Sequence, residues 1–130
     1  MSATTSKLPP DHSTVSVYMM VDGAARVIDF AAILFGARTL TMMKREDGSI
    51  MHASIRIGDS VLMISDGTKD YSAFPVWLHI YVDDVDACYR SALAIGATSL
   101  QAPSEKGDGD RRAGVRDPAG NSWWIATHIG

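Results

Sequence analysis

The 130 residues are 46% hydrophobic and 21% charged, the balance of a soluble chain long enough to bury a core as one compact domain. A net charge of -3 leaves no basic footprint for nucleic acid, and no apolar run approaches the roughly 18 residues of a spanning helix. The single cysteine, Cys88, excludes an internal disulfide and fits a reducing cytoplasm, the expected location, with no secretion signal and no membrane partner.

Residues 1–12 are rich in Ser, Thr and Pro without periodicity and read as a flexible tail. Thr14 to Val21 is a first strand, with Ser16, Tyr18 and Met20 on one face and Val15, Val17, Met19 and Val21 on the other. Asp22 stands where a helix N-cap belongs. Val27, Ala31, Leu34 and Phe35 then recur at helical spacing up to Gly36, a left-handed stop. Arg38 to Arg45, Ile50 to Ile57 and Val61 to Ser65 are strands, joined through Asp47-Gly48-Ser49 and Gly58-Asp59-Ser60 turns.

After a connection over residues 67–75 the same plan returns. Val76 to Val82 is a strand, Asp83 or Asp84 caps a helix, and Val85, Cys88, Ala92 and Ile95 form its inner stripe before Gly96. Cys88 reads as a buried small hydrophobe. Thr98 to Gln101 is a short strand and Ala102 to Asp110 a loop. Arg111 to Arg116 and Asn121 to Ile129 are strands around the turn Asp117-Pro118-Ala119-Gly120-Asn121. Residues 13–66 and 76–130 are thus two copies of one βαβββ unit, and the fold class is α+β.

The paired units, the Gly58-Asp59-Ser60 turn after His52-Ala53-Ser54-Ile55-Arg56-Ile57, Gly109-Asp110-Arg111, and Asp117-Pro118-Ala119-Gly120-Asn121 before the last strand carry a resemblance. Together they are similar to the vicinal oxygen chelate superfamily (glyoxalases, bleomycin-resistance proteins and extradiol dioxygenases), in its PhnB-like branch. The resemblance implies a curved mixed sheet closing a cup, helices on the outer face, and a homodimer. It also implies, for the enzymes of the group, a divalent metal held by His and Glu from the first and last strands of a unit.

Aligning Val21 with Val82 puts Ser16 and Trp77 at two of those ligand positions, and counting from the Asp117 turn puts Trp124 at the final-strand glutamate. Serine and two tryptophans do not make a metal site. Trp77, Trp124 and Tyr18 offer instead flat surfaces for a planar ligand. Trp123 and Trp124 must point opposite ways, and Trp124 is the one expected to face the cup.

His79 shares a strand face with Trp77, Tyr18 is its repeat equivalent, and His52 and Glu46 lie on or beside the neighbouring strands. Arg56 is a candidate for an anionic group. His128 reads as solvent-facing, and Lys106, Arg111, Arg112 and Arg116, mixed with Glu105, Asp108 and Asp110, read as a solvated loop and hairpin. The expected protein therefore binds a small molecule through Ser16, Tyr18, His52, Arg56, Trp77, His79 and Trp124, without a cofactor. The alternative is a metal-dependent lyase, isomerase or dioxygenase with a rearranged site that includes His79 and His52.

Overall fold

The computed structural model describes residues 7–130; Met1 to Ser6, half of the expected tail, lie outside the described residues. The elements run β1 (Val17–Val21), α1 (Ala24–Phe35), β2 (Arg38–Lys44), β3 (Ile50–Ile57), β4 (Ser60–Asp66), β5 (Trp77–Tyr81), α2 (Val85–Ala94), β6 (Thr98–Glu105), β7 (Asp110–Arg116) and β8 (Ser122–His128). They form two four-stranded mixed sheets, ordered β1-β4-β3-β2 and β5-β8-β7-β6. In each, the first strand lies parallel to the last, Val17 opposite Leu62 and Trp77 opposite Ser122, and the other pairs are antiparallel. The α+β class and the βαβββ repeat are therefore present in the fold. None of the helices among the described residues is long and apolar enough to cross a membrane.

One side of each sheet carries the apolar alternation. Met19, Val21, Ile55, Leu62 and Ile64 of the first sheet join Val27, Phe30 and Ala31 of α1; Ala113, Val115, Trp123 and Ile125 of the second join Val85 and Ala92 of α2. The two sets make one continuous core. Trp123 is the bond between them: it is 1% exposed, and its ring lies 5.9 Å from Phe30 and 5.0 Å from Phe35, both on α1. An indole with that burial contributes several kcal/mol, about 3–5 by the cost of truncating such residues. The opposite side of each sheet, its open face, carries no helix among the described residues.

Two expectations are corrected by local chemistry. Asp22 does not cap α1. Gly23 occupies the N-cap with φ 91° and offers no side-chain bond. The cap comes from the end of β4, where Asp66 Oδ1 accepts the Gly23 and Ala24 N–H groups at 3.1 and 2.8 Å, and Oδ2 accepts that of Ile50 at 2.7 Å. In the second unit Asp84 does cap α2, its carboxylate accepting the Ala87 N–H at 3.1 Å. The residue that follows the last β5–β8 pair, Thr127, adds a second bond, its Oγ1 accepting the Val85 N–H at 2.9 Å. The last strand of each unit thus ties down the start of that unit's helix.

The second correction concerns the expected loop from Ala102. β6 continues to Glu105, and only Lys106 to Gly109 turn before β7. Pro103 is tolerated because β6 is the sheet's edge, where a missing N–H breaks no ladder. Its pairing slips between Ser99 and Gln101 and again before Ser104.

The Asp117 turn is held by its own side chains. Asp117 Oδ1 accepts the Ala119 and Asn121 N–H groups at 2.9 and 3.0 Å, and Oδ2 accepts the Trp123 indole N–H at 2.8 Å. Asn121 Oδ1 in turn accepts the Val76 N–H at 2.9 Å, so the turn before β8 also positions the strand next to it.

Candidate functional site

Period-two alternation decides what each open face displays. On the first sheet it carries Tyr18, Met20, Met43, His52, Ser54, Arg56, Met63 and Ser65, as the registers Tyr18 with Met63, Met43 with His52, and Ser54 with Met63 require, while Ser16 precedes the strand. Ser65 Oγ donates to the Met51 carbonyl at 2.8 Å. Its remaining contact, 2.7 Å from Tyr18 Oη, must then be accepted from the phenol. Tyr18 Oη has only lone pairs left for His52 Nδ1 at 3.2 Å, so His52 carries its proton there and leaves Nε2 as its lone-pair nitrogen. Arg56 is engaged elsewhere: its guanidinium pairs with Asp11, in the expected tail, and donates to the Gly58 carbonyl at 2.8 Å.

On the second sheet Trp77, His79, Tyr81, Arg112, Gly114, Trp124 and His128 share the open face, with His79 opposite Trp124 and Trp124 opposite Gly114. Trp124 faces this side and Trp123 the core, as alternation demands. The Trp77 and Trp124 rings sit 5.2 Å apart at 60°, and Trp77 is 76% exposed. Trp124 rests on Gly114, where a Cβ would lie 2.4 Å from its Cζ3. Its benzo carbons fill that space, and among the described residues the buried indole N–H meets no hydrogen-bond partner.

Asp110 is the hub beside this shelf. It accepts from Tyr81 Oη at 2.9 Å, Arg112 Nη2 at 2.7 Å and His128 Nδ1 at 2.8 Å. The His128 bond foremost, with Tyr81 and Arg112 adding to it, holds the Asp110 carboxyl below its ordinary range against the opposing effect of burial. The Tyr81 bond to Asp110, with burial adding to it, raises the pKa of the Tyr81 phenol above its ordinary value. His128 is largely solvent-exposed, yet its ring is oriented by Asp110. Arg112 also donates Nε–H to His79 Nε2 at 3.0 Å and Nη1–H to Asp108 at 3.1 Å. An arginine only donates, so His79 Nε2 is the acceptor and its ring proton is on Nδ1.

Two hollows border the shelf. One, of about 500 Å³, lies between β1, the β3–β4 hairpin and β5, and is lined by Ser16, Trp77, His79 and Tyr81 among others. The other, of about 450 Å³, is lined by Trp77, Leu78, His79, Gln101, Lys106, Arg112 and Trp124. The structure thus gathers Trp77, His79 and Trp124, brings Ser16 to their edge, and leaves Tyr18 and His52 as a separate cluster on the other sheet. Sequence reading missed Gln101, Lys106 and Arg112. The alternation Asp110, Arg112, Gly114 was the available signal, since it puts the arginine beside the smallest residue of β7.

A divalent metal does not fit these donors. Among the described residues no three of His, Cys, Asp and Glu converge. The positions that the resemblance assigns to ligands are Ser16, Trp77 and Trp124, and His79 Nε2 is already an acceptor for Arg112. At Cys88 burial, aided by the charge of Asp84, pushes the thiol pKa up, which disfavours the thiolate.

The repeat, the paired mixed sheets and the cleft-bearing open faces define a glyoxalase-type scaffold, and the chain belongs to the Glyoxalase/Bleomycin resistance protein/Dioxygenase superfamily, whose model matches residues 11–125. It is 36% identical over 126 residues to the uncharacterized protein Rv0887c of Mycobacterium tuberculosis, spanning 88% of this chain and 74% of that protein. Among solved structures, TioX from Micromonospora sp. ML1 superposes with a TM-score of 0.72 at 27% identity, covering 91% of this chain and 98% of TioX. TnmS3, an antibiotic binding protein from Streptomyces sp. CB03234, shares the fold with a TM-score of 0.69 at 21% identity, covering 90% and 99%.

Proposed function

We propose that the protein is a cytoplasmic, metal-free binding protein that takes a planar or aromatic small molecule onto the Trp77 and Trp124 shelf, within a cup completed by a second copy of the chain. The observation that carries this is the indole pair itself, 5.2 Å apart, at positions that the resemblance assigns to metal ligands. Indoles stack flat molecules through dispersion and a few polar edges and activate nothing. The likeness to TnmS3 supports the same class of role, since that protein is an antibiotic binding protein. Tyr18, His52, Met43 and Met63 would form the facing wall, where thioethers adapt to varied ligand shapes. Ser16 and His79 edge the shelf, whereas Arg56 would have to leave Asp11 before it could meet a ligand.

Two measurements test it together. Protein purified without chelator is expected to hold far less than one equivalent of zinc, nickel, manganese or iron by elemental analysis. Planar polycyclic ligands such as quinoline or acridine derivatives are expected to quench tryptophan emission, with affinity reduced at least tenfold in Trp77→Ala and Trp124→Ala. A stoichiometric metal, or quenching indifferent to both substitutions, would overturn the proposal.

A further inference from the structure

Building on the binding role just proposed, we infer that the ligand of the shelf is a flat aromatic anion, its negative group held by Lys106. The charged residues lining the 450 Å³ hollow are Lys106 and Arg112, with no acid among them. Asp108 and Asp110, which neutralise Arg112, do not line it. Lys106 is different. Its ammonium donates to the neutral Gln101 Oε1 at 3.1 Å, and among the described residues no carboxylate lies within ion-pair distance of it.

Gln101 is itself anchored, its amide N–H donating to the Arg112 carbonyl at 3.0 Å, so the ammonium is tethered to a fixed residue of the same lining. The Trp77 and Trp124 indoles line the same hollow and supply its flat surfaces. An ammonium without a counter-charge, in one hollow with a guanidinium and two indoles, asks for an oxygen-bearing anion carried on flat rings.

Charge decides among ligand types. A cationic aromatic would set like charges together over Lys106 and Arg112. A neutral one would cover the ammonium and strip its water with nothing in exchange. An aromatic carboxylate or phenolate gains a charge-assisted bond as its rings meet the indoles. The attraction is local, because the chain as a whole carries -3, and a pocket of this size admits a two- or three-ring molecule.

The test uses isothermal titration calorimetry with 2-naphthoate and its neutral isostere 2-naphthamide at low salt. The full-length protein is expected to bind naphthoate at least tenfold more tightly. Lys106→Met should reduce that ratio below threefold, and Lys106→Arg should restore it. Equal binding of the two probes overturns the anion assignment while leaving the aromatic site standing. A naphthoate preference that survives Lys106→Met overturns the role of Lys106. Failure of both probes to bind removes the binding reading, and this inference with it.

Discussion

Gly114 shows how one missing atom shapes the shelf. Trp124 lies across it, and an added Cβ would meet Cζ3 at 2.4 Å and Cε3 at 2.7 Å, well inside contact distance. Because Gly114 and Trp124 are cross-strand partners, the ring has no sideways escape that keeps it over β7. Gly114→Ala is therefore expected to tilt the indole off the strand. It should cost about 1–3 kcal/mol in urea denaturation, the range of overpacked sites, shift tryptophan emission, and weaken aromatic ligands. Unchanged emission together with unchanged affinity would show that Trp124 is not seated there. The repeat partner of this pair is Ser54 beside Met63, where a flexible thioether needs no such gap.

Asp66 makes the corresponding argument for β4 and α1. Its carboxylate accepts three backbone N–H groups, from Gly23, Ala24 and Ile50. Burial raises its pKa, but those three bonds outweigh burial and hold the net value below the ordinary one. The sign follows: the unfolded chain binds the proton more readily, so this contribution is complete above the ordinary aspartate pKa and drains as pH falls through the lowered folded value. Asp66→Asn keeps the shape but turns an NH₂ toward one of the donors, at a cost of about 1–3 kcal/mol. Stability measured by urea titration from pH 7 to pH 3 should fall less steeply in the variant than in the parent; parallel curves would show that Asp66 is not the acid-sensitive cap.

Sequence alone could not find this cap, because Asp66 lies far along the chain from the helix it serves, while Asp22 sat in the expected place. Asp84, local to α2, was readable. The same distinction separates Trp123 from Trp124, which adjacency and alternation resolve, from the Arg112 and His79 contact, which needs β5 and β7 brought together across β8. Lys106 was hidden for another reason: Pro103 suggested a loop, whereas an edge strand carries it and delivers the lysine to the hollow.

For the molecule as a whole, the decisive feature is that the helix-bearing sides of both sheets are spent on one core, joined where Trp123 meets Phe30 and Phe35. That leaves Tyr18 and Met43 exposed on one open face, 46% and 50%, and Trp77 and Tyr81 on the other, 76% and 61%. Apolar surface displayed in this way is suited to a contact with a second copy or with a ligand. A twofold dimer would set the methionine-bearing face of one copy against the indole face of the other, twice over, and so close two cups with one symmetry operation. Sedimentation is therefore expected to give twice the 14.0 kDa chain mass. Met43→Glu and Trp77→Glu place a carboxylate on opposite sides of that contact, at positions outside the core, so each should yield a folded monomer with unchanged circular dichroism and lost ligand affinity. A parent protein that sediments as a monomer, or two charged variants that remain dimers, would mean that each open face binds without a facing wall.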